Sequence, residues 1–214
     1  MQEYWDAFLQ LLDAEVLIET GGFYLILLIV FAETGLFFGF FLPGDYLLFL
    51  AGLFCALGKI DVDIVTLCAG LLSAGILGNF TGYLFGHRAG PVLFQRKDTW
   101  FYKRKYVIMA EEFFHKYGGT ALIIGRFVPI IRTFAPIFAG IVRFNFRKFI
   151  LYNVSGAAIW VCVLTLSGYF LGKRFPEIIN YIGYIVVGLI IVAFLPIAIT
   201  LIKKYLKDKK KKKE

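Results

Sequence analysis

The sequence predicts an all-α polytopic membrane protein built from two inverted-topology repeats, each a re-entrant hairpin followed by a transmembrane helix, with one more transmembrane helix at the end. Three observations lead there: long apolar runs, the alternation of charge between them, and a repeat at a fixed offset. The apolar content is 59% of 214 residues and the mean hydropathy is +0.75. Soluble domains sit near about 45–50% apolar. Apolar runs occupy 23–42, 64–86, 119–142, 149–172 and 182–202, and ~20 such residues cross a hydrocarbon core.

Charge then sets sidedness, because cytoplasmic loops are enriched in Lys and Arg. Residues 1–22 carry five acids and no base, and 59–63 nets −1. Residues 87–118 hold seven bases against three acids, 143–148 hold Arg143, Arg147 and Lys148, and the tail 203–214 has eight lysines against two acids. The acidic segments belong outside and the basic ones inside. The run 23–58 therefore returns to its own side, as does 119–142, which is broken by Arg126, Pro129, Arg132 and Pro136. Runs 64–86 and 149–172 cross once each, and 182–202 brings the C-terminus to the cytoplasm. Lys173-Arg174 falls outside, against the rule.

The repeat accounts for that exception. FLP at 41–43 recurs as FVP at 127–129, and TGYLFGHR at 81–88 recurs as SGYFLGKR at 167–174, both at an offset of 86. The AG pairs at 51–52 and 139–140 fit with a two-residue insertion. The chain thus reads as one membrane domain, 1–214. It comprises an amphipathic N-terminal helix (1–22), repeat 1 (23–90), a basic cytoplasmic linker (91–108), repeat 2 (109–174), the last transmembrane helix (182–202) and a polybasic tail (203–214). Inverted repeats of this kind are a transporter architecture with the site near the midplane.

The remaining elements have simpler roles. Gly70, Ala74, Gly78, Gly82, Gly86 and Gly90 recur every four positions, giving a smooth helix face for close approach. Residues 4–18 and 101–117 are amphipathic and suit helices lying in the interface. The acidic N-terminus lacks the basic region of a cleavable signal peptide. Cys55, Cys68 and Cys162 have no metal-ligand spacing, and His87 and His115 are isolated at basic edges. No metal, cofactor or catalytic constellation is expected. The pI of 9.3 does not imply nucleic-acid binding, since the bases sit where the positive-inside rule puts them. Trp160 and Asn153 read as packing and interhelical bonding residues.

Four ionisable residues remain in apolar surroundings: Glu33, Asp45, Arg126 and Arg132. Each costs ~2.5–3.5 kcal/mol at a helix centre on insertion scales, so they must pair or line a watery cavity. Both hairpins bring their breakers to the same depth from opposite sides. Pro43, Gly44, Pro129 and Asn79 are the candidate cavity-lining residues around them. The bland reading is a structural ion-pair cluster. The functional one gives Arg126 and Arg132, with their planar forks, to a phosphate or carboxylate, and gives proton relay or gating to Glu33 and Asp45.

The arrangement Glu33…Pro43-Gly44-Asp45, GNFTGYLFGHRAG at 78–90 and GRFVPIIRTFAPIFAG at 125–140 resembles the DedA family. That is the bacterial branch of the SNARE-associated Golgi, or VTT-domain, proteins. The resemblance covers roughly residues 20–175. It implies opposed re-entrant hairpins, residence in the bacterial inner membrane, and movement of lipids such as undecaprenyl phosphate or phospholipids between leaflets, coupled to protons. The family's important acids and arginines fall on Glu33, Asp45, Arg126 and Arg132. Two positions depart: Asp45 stands where Glu is frequent, and Asn79 where an acid is common. The expected partners are thus a membrane lipid and protons, and a homo-oligomer is compatible with this. Two rivals stay open: a proton-coupled transporter of a small ion or solute, and a structural membrane protein supporting envelope integrity or division.

Overall fold

Helices account for every regular element of the computed structural model, which describes residues 14–36, 44–95, 104–127, 129–181 and 188. In chain order they are α1 (Ala14–Gly35), α2 (Gly44–Ala56), α3 (Ile64–Gln95), α4 (Arg104–Tyr117), α5 (Thr120–Ile124), a 3₁₀ turn (Gly125–Phe127), α6 (Pro129–Ile141), α7 (Phe146–Arg174) and a 3₁₀ turn (Pro176–Tyr181). Among the described residues there is no strand. The chain divides into two units, 1–176 and 177–214. The second is described only at 177–181 and 188, so the predicted helix 182–202, apart from residue 188, and the polybasic tail lie outside the described residues. So do residues 1–13, with most of the amphipathic N-terminal stretch, and Pro43.

The two long helices have explicit starts. Asp63 caps α3: its Oδ1 accepts from the backbone N–H of Val65 (2.9 Å) and Thr66 (3.0 Å). Asn145 caps α7, accepting from the Lys148 N–H at 3.1 Å. Such caps satisfy the free donors of a first turn. Both helices are long and apolar enough to span a bilayer, over Ile64–Gly90 and Phe146–Arg174. Helix α3 continues through Pro91 to Gln95, so the first residues of the expected linker 91–108 are helical. A proline inside a helix forgoes one backbone bond and crowds the carbonyl four residues back.

The shorter helices are cut by their breakers. In α1 the backbone turns at Gly22 (φ 57, ψ −154), a conformation open essentially to glycine alone. The apolar run 23–42 stays helical only to Gly35, and the helix resumes at Gly44. The run 119–142 is likewise divided into α5, a 3₁₀ turn and α6.

The small-residue face of α3 serves two neighbours. At Gly70 it meets the Phe23 ring, and at Gly78 it meets the backbone of Phe31 and Gly35 in α1. Further along, Gly86 and Gly90 lie against the backbone of Ile137 and Ile141 in α6. A second contact of this type joins α2 to α7, where Gly168 abuts the Phe49 carbonyl and Gly172 the Leu53 carbonyl. The packing is therefore reciprocal. α1 packs on α3 and α5 on α7, whereas α2 packs on α7 and α6 on α3. In both exchanged pairs the residue numbers rise together, so the helices run parallel.

Both outgoing helices also end alike. After α2, Gly58 (φ 70) sits in the left-handed region, with the Lys59 N–H on Phe54 O (2.9 Å) and the Gly58 N–H on Cys55 O (3.3 Å). After α6, Arg143 (φ 52) takes that place, with the Phe144 N–H on Ala139 O (2.9 Å) and the Arg143 N–H on Gly140 O (3.1 Å). These are paired Schellman ends. The fold is inside-out relative to a soluble protein. Glu33, Asn79, Arg126, Arg132 and Asn153 are buried, while Tyr24, Val65, Phe85, Leu151 and Phe170 are exposed. That distribution suits hydrocarbon around the bundle and polar groups inside it.

Candidate functional site

The breaks between short helices bring all four ionisable residues together. Glu33 ends α1, Asp45 opens α2, Arg126 lies in the 3₁₀ turn, and Arg132 is in the first turn of α6. Arg132 is clamped between acids: its Nη2 donates to Glu33 Oε1 and its Nη1 to Asp45 Oδ1. Glu33 and Arg132 are buried, whereas the Asp45 side chain is 34% exposed and is the one opening of the cluster among these four.

Gly44 is needed for the clamp to close. A Cβ there would fall on the Glu33 carboxylate itself, so α2 can start beside that group only with glycine. Thr133 adds a long bond from its hydroxyl to the Glu33 carbonyl, at 3.4 Å.

Arg126 is bonded differently. Its Nη2 donates to Asn153 Oδ1 at 2.7 Å, and Asn153 Nδ2 donates to the Ile76 carbonyl at 3.2 Å. The Asn79 amide lies alongside. In the orientation that satisfies both its ends, its oxygen accepts from Arg126 and its nitrogen donates to the Thr34 carbonyl at 3.1 Å; turned round, its nitrogen donates to Asn153 Oδ1 at 2.8 Å. Among the described residues Arg126 forms no salt bridge with a carboxylate, and its Nη1 has no hydrogen-bond partner. It is 2% exposed. The site thus holds one guanidinium paired with two carboxylates and one that meets amides but, among the described residues, no carboxylate.

Trp160 joins the two halves. Its indole N–H donates to Asp45 Oδ1 at 2.7 Å, and its ring centroid is 4.8 Å from the Arg132 guanidinium carbon and 5.6 Å from that of Arg126. The sequence named Glu33, Asp45, Arg126, Arg132, Gly44 and Asn79 as site residues, and all six are in or against this cluster. Pro129 begins α6. The sequence reading did not place Trp160, Asn153 and Thr34 in the site. The signal available was spacing: Asn153, Gly156 and Trp160 fall at i, i+3 and i+7, one face of an otherwise apolar helix.

A search of solved structures returns no match. Among families, the VTT domain matches residues 42–170, a span holding every residue of the cluster except Glu33 and Thr34. The chain is a VTT-domain protein of the DedA family. The chain is 38% identical over 192 residues to the Escherichia coli protein DedA, an alignment covering 89% of this chain and 87% of that one. An uncharacterized membrane protein of Mycobacterium tuberculosis is 39% identical over 180 residues, covering 84% and 78%. The Escherichia coli inner membrane protein YqjA is 35% identical over 159 residues, covering 74% and 71%. With its apolar helices and inside-out polarity, this VTT-domain chain is a membrane protein.

Proposed function

We propose that this protein is a lipid transporter that returns an anionic lipid, undecaprenyl phosphate or a close relative, to the cytoplasmic leaflet of a bacterial inner membrane. The observation that carries the reading is Arg126: a buried guanidinium without a carboxylate partner among the described residues and with a free Nη1. A buried charge of that kind is costly unless something complements it, and a phosphate oxygen matches its fork. Arg132 is the reserve. A proton on Glu33 or Asp45 removes part of its counter-charge and frees it to join Arg126 on the headgroup. Proton binding and lipid movement are coupled in that way, and no bond is made or broken in the substrate.

The finer architecture belongs to the same reading. The paired breaks, the reciprocal packing of α2 on α7 and α6 on α3, and the matched Schellman ends support two inverted repeats with re-entrant hairpins. Multi-pass insertion with the C-terminus in the cytoplasm follows from the distribution of basic residues. A lipid is favoured over a soluble solute by an open groove of about 360 Å³ between α3 and α7. Leu72, Ala158 and Val161 line it, and Val161 adjoins Trp160 in the chain.

The test is leaflet exchange of labelled polyprenyl phosphate in proteoliposomes, with and without a pH gradient. Wild type is expected to exchange the lipid faster than protein-free vesicles, and Arg126→Ala and Glu33→Gln to lose that activity. Folded wild type that moves neither polyprenyl phosphate nor phospholipid would sink the lipid reading and leave the small-solute transporter.

A further inference from the structure

Trp160 is buried to 1% exposure on a helix whose other buried side chains are apolar, small or amide. Burial alone makes it a packing residue. Its contacts say more. The indole N–H reaches Asp45 Oδ1, the same oxygen that accepts from Arg132. Its face lies beside both guanidinium groups, within the roughly 6 Å over which a ring quadrupole attracts a cation. At its edge, a Cβ on Gly75 of α3 would be 3.6 Å from Cζ3. The ring therefore meets groups from α2, α6 and the 3₁₀ turn, and its edge lies near Gly75 of α3.

Asp45 is the residue that needs holding. Of the four charged groups it alone has access outward, and a partly exposed carboxylate has competing partners in water. The groups facing it are Arg132 from α6, Trp160 from α7 and, through Arg132, Glu33 from α1. A single ion pair leaves an aspartate free to pivot about its partner, whereas a second donor from another direction fixes it. The parallel packing of α2 on α7, with Phe49 against Gly168 and Leu53 against Gly172, leaves Asp45, one turn before Phe49, within reach of the Trp160 side chain two turns before Gly168.

We propose that Trp160 is the positioning residue of the cluster: its N–H pins the Asp45 carboxylate against Arg132, and its face holds the two like-charged guanidinium groups side by side. Nothing in the family match or the relatives' names assigns this role. It rests on the cluster being a functional site, and it deepens that reading by naming what sets the strength of the Arg132 clamp. Asp45 held this way releases Arg132 only when its charge is lost. Asp45 without the indole N–H swings outward, and Arg132 is left to Glu33.

The experiment reads Asp45 directly and without transport. Protein in phospholipid nanodiscs is treated with a water-soluble carbodiimide and an amine, and coupling at each carboxyl is followed by peptide mass spectrometry. The exposed Asp61 and Asp63 serve as internal references. Trp160→Phe keeps a ring and loses the N–H; Trp160→His keeps a ring N–H. The expected result is Asp45 coupling at least about threefold faster in Trp160→Phe, near wild type in Trp160→His, with Asp61 and Asp63 unchanged. Equal rates in all three proteins overturn the proposal, as does equal acceleration in both variants, which would reduce Trp160 to bulk. Should Trp160→Phe fail to fold, the native side chain supplies a second readout. With Trp5→Phe and Trp100→Phe in place, Trp160 is the sole tryptophan of the three. Asp45→Ala should then move its emission maximum, and an unmoved maximum overturns the proposal. Failure of wild type to move lipid while Asp45 coupling responds as expected would remove the transport reading and leave the positioning intact.

Discussion

Removing one arginine or the other should separate structure from function, because the two are bonded in opposite ways. Arg132→Ala strands two carboxylates that it now bridges, one of them, Glu33, fully buried. Breaking a buried pair by deleting one partner costs about 3–5 kcal/mol, mostly the penalty of the charge left behind. For a chain of this length 1 kcal/mol corresponds to about 2–4 °C in Tm, so Arg132→Ala should lower Tm by roughly 6–20 °C. Protonation of Glu33 can relieve part of this, which places the expectation in the lower half of that range.

Arg126→Met has a different balance. It loses the Nη2 donor shared by Asn153 and Asn79, about 1.5–3 kcal/mol for a charged donor. It also removes a buried cation that forms no ion pair among the described residues and an Nη1 that bonds nothing, a relief of similar size. Methionine is long and flexible enough to fill the slot between Gly75 and Gly156. The net expectation is a Tm within a few degrees of wild type, or above it, with lipid exchange abolished. Thermal unfolding in nanodiscs by intrinsic fluorescence, beside the exchange assay, reads both quantities. A fall in Tm for Arg126→Met as large as that for Arg132→Ala would refute the argument. It would mean that Arg126 is a structural brace and that the cluster is an ion-pair lock.

Three further outcomes follow from the geometry. Gly44→Ala forces a methyl onto the Glu33 carboxylate; overpacking of this kind costs about 1–3 kcal/mol, and transport should fall with stability, both measured on the same nanodisc sample. Arg143→Gly relieves an exposed residue at φ 52, where a side chain costs about 1 kcal/mol or more, so Tm should rise by a few degrees with exchange unchanged. Asp63→Ala removes the α3 cap and should lower Tm at neutral pH. The Thr66 hydroxyl and the backbone N–H groups of Thr66 and Val65 hold the Asp63 carboxyl below its ordinary range. Its contribution is present above the unfolded value and is lost as pH falls through the lower folded one, so the gap between wild type and Asp63→Ala should close in acid.

The sequence was informative wherever the physics is one-dimensional. Hydrocarbon thickness acts on consecutive residues, so the spans around 64–86 and 149–172 could be read directly, and α3 and α7 occupy them. Desolvation makes any charge in such a run conspicuous, and Glu33, Asp45, Arg126 and Arg132 stood out for that reason. What could not be read was partnership. Composition gave two acids and two arginines, which suggests two equivalent pairs. The structure gives both acids to Arg132, because the parallel packing of α2 on α7 and of α6 on α3 decides which side chains meet.

The same limit applied to Trp160 and Asn153. An indole or an amide on an apolar helix is ordinary, and its meaning depends on what lies opposite. Asn153 gains importance from a guanidinium contributed by a turn 27 residues earlier, and Trp160 from an aspartate 115 residues away. Neither separation has a period that a sequence reading can exploit. The repeated motif is the exception, since FLP and FVP carry at a distance the expectation that the two halves are built alike. It implied equivalent geometry, but the chemistry diverged: at the offset of 86 Asp45 aligns with Ile131 and Arg132 with Tyr46, and the two charged residues stand near the starts of α2 and α6 with opposite sign. Their ion pair ties the start of α2 to the start of α6. Under the lipid-transport proposal, a proton that weakens it loosens the starts of α2 and α6 at once, which is what exposing one site to two leaflets in turn requires.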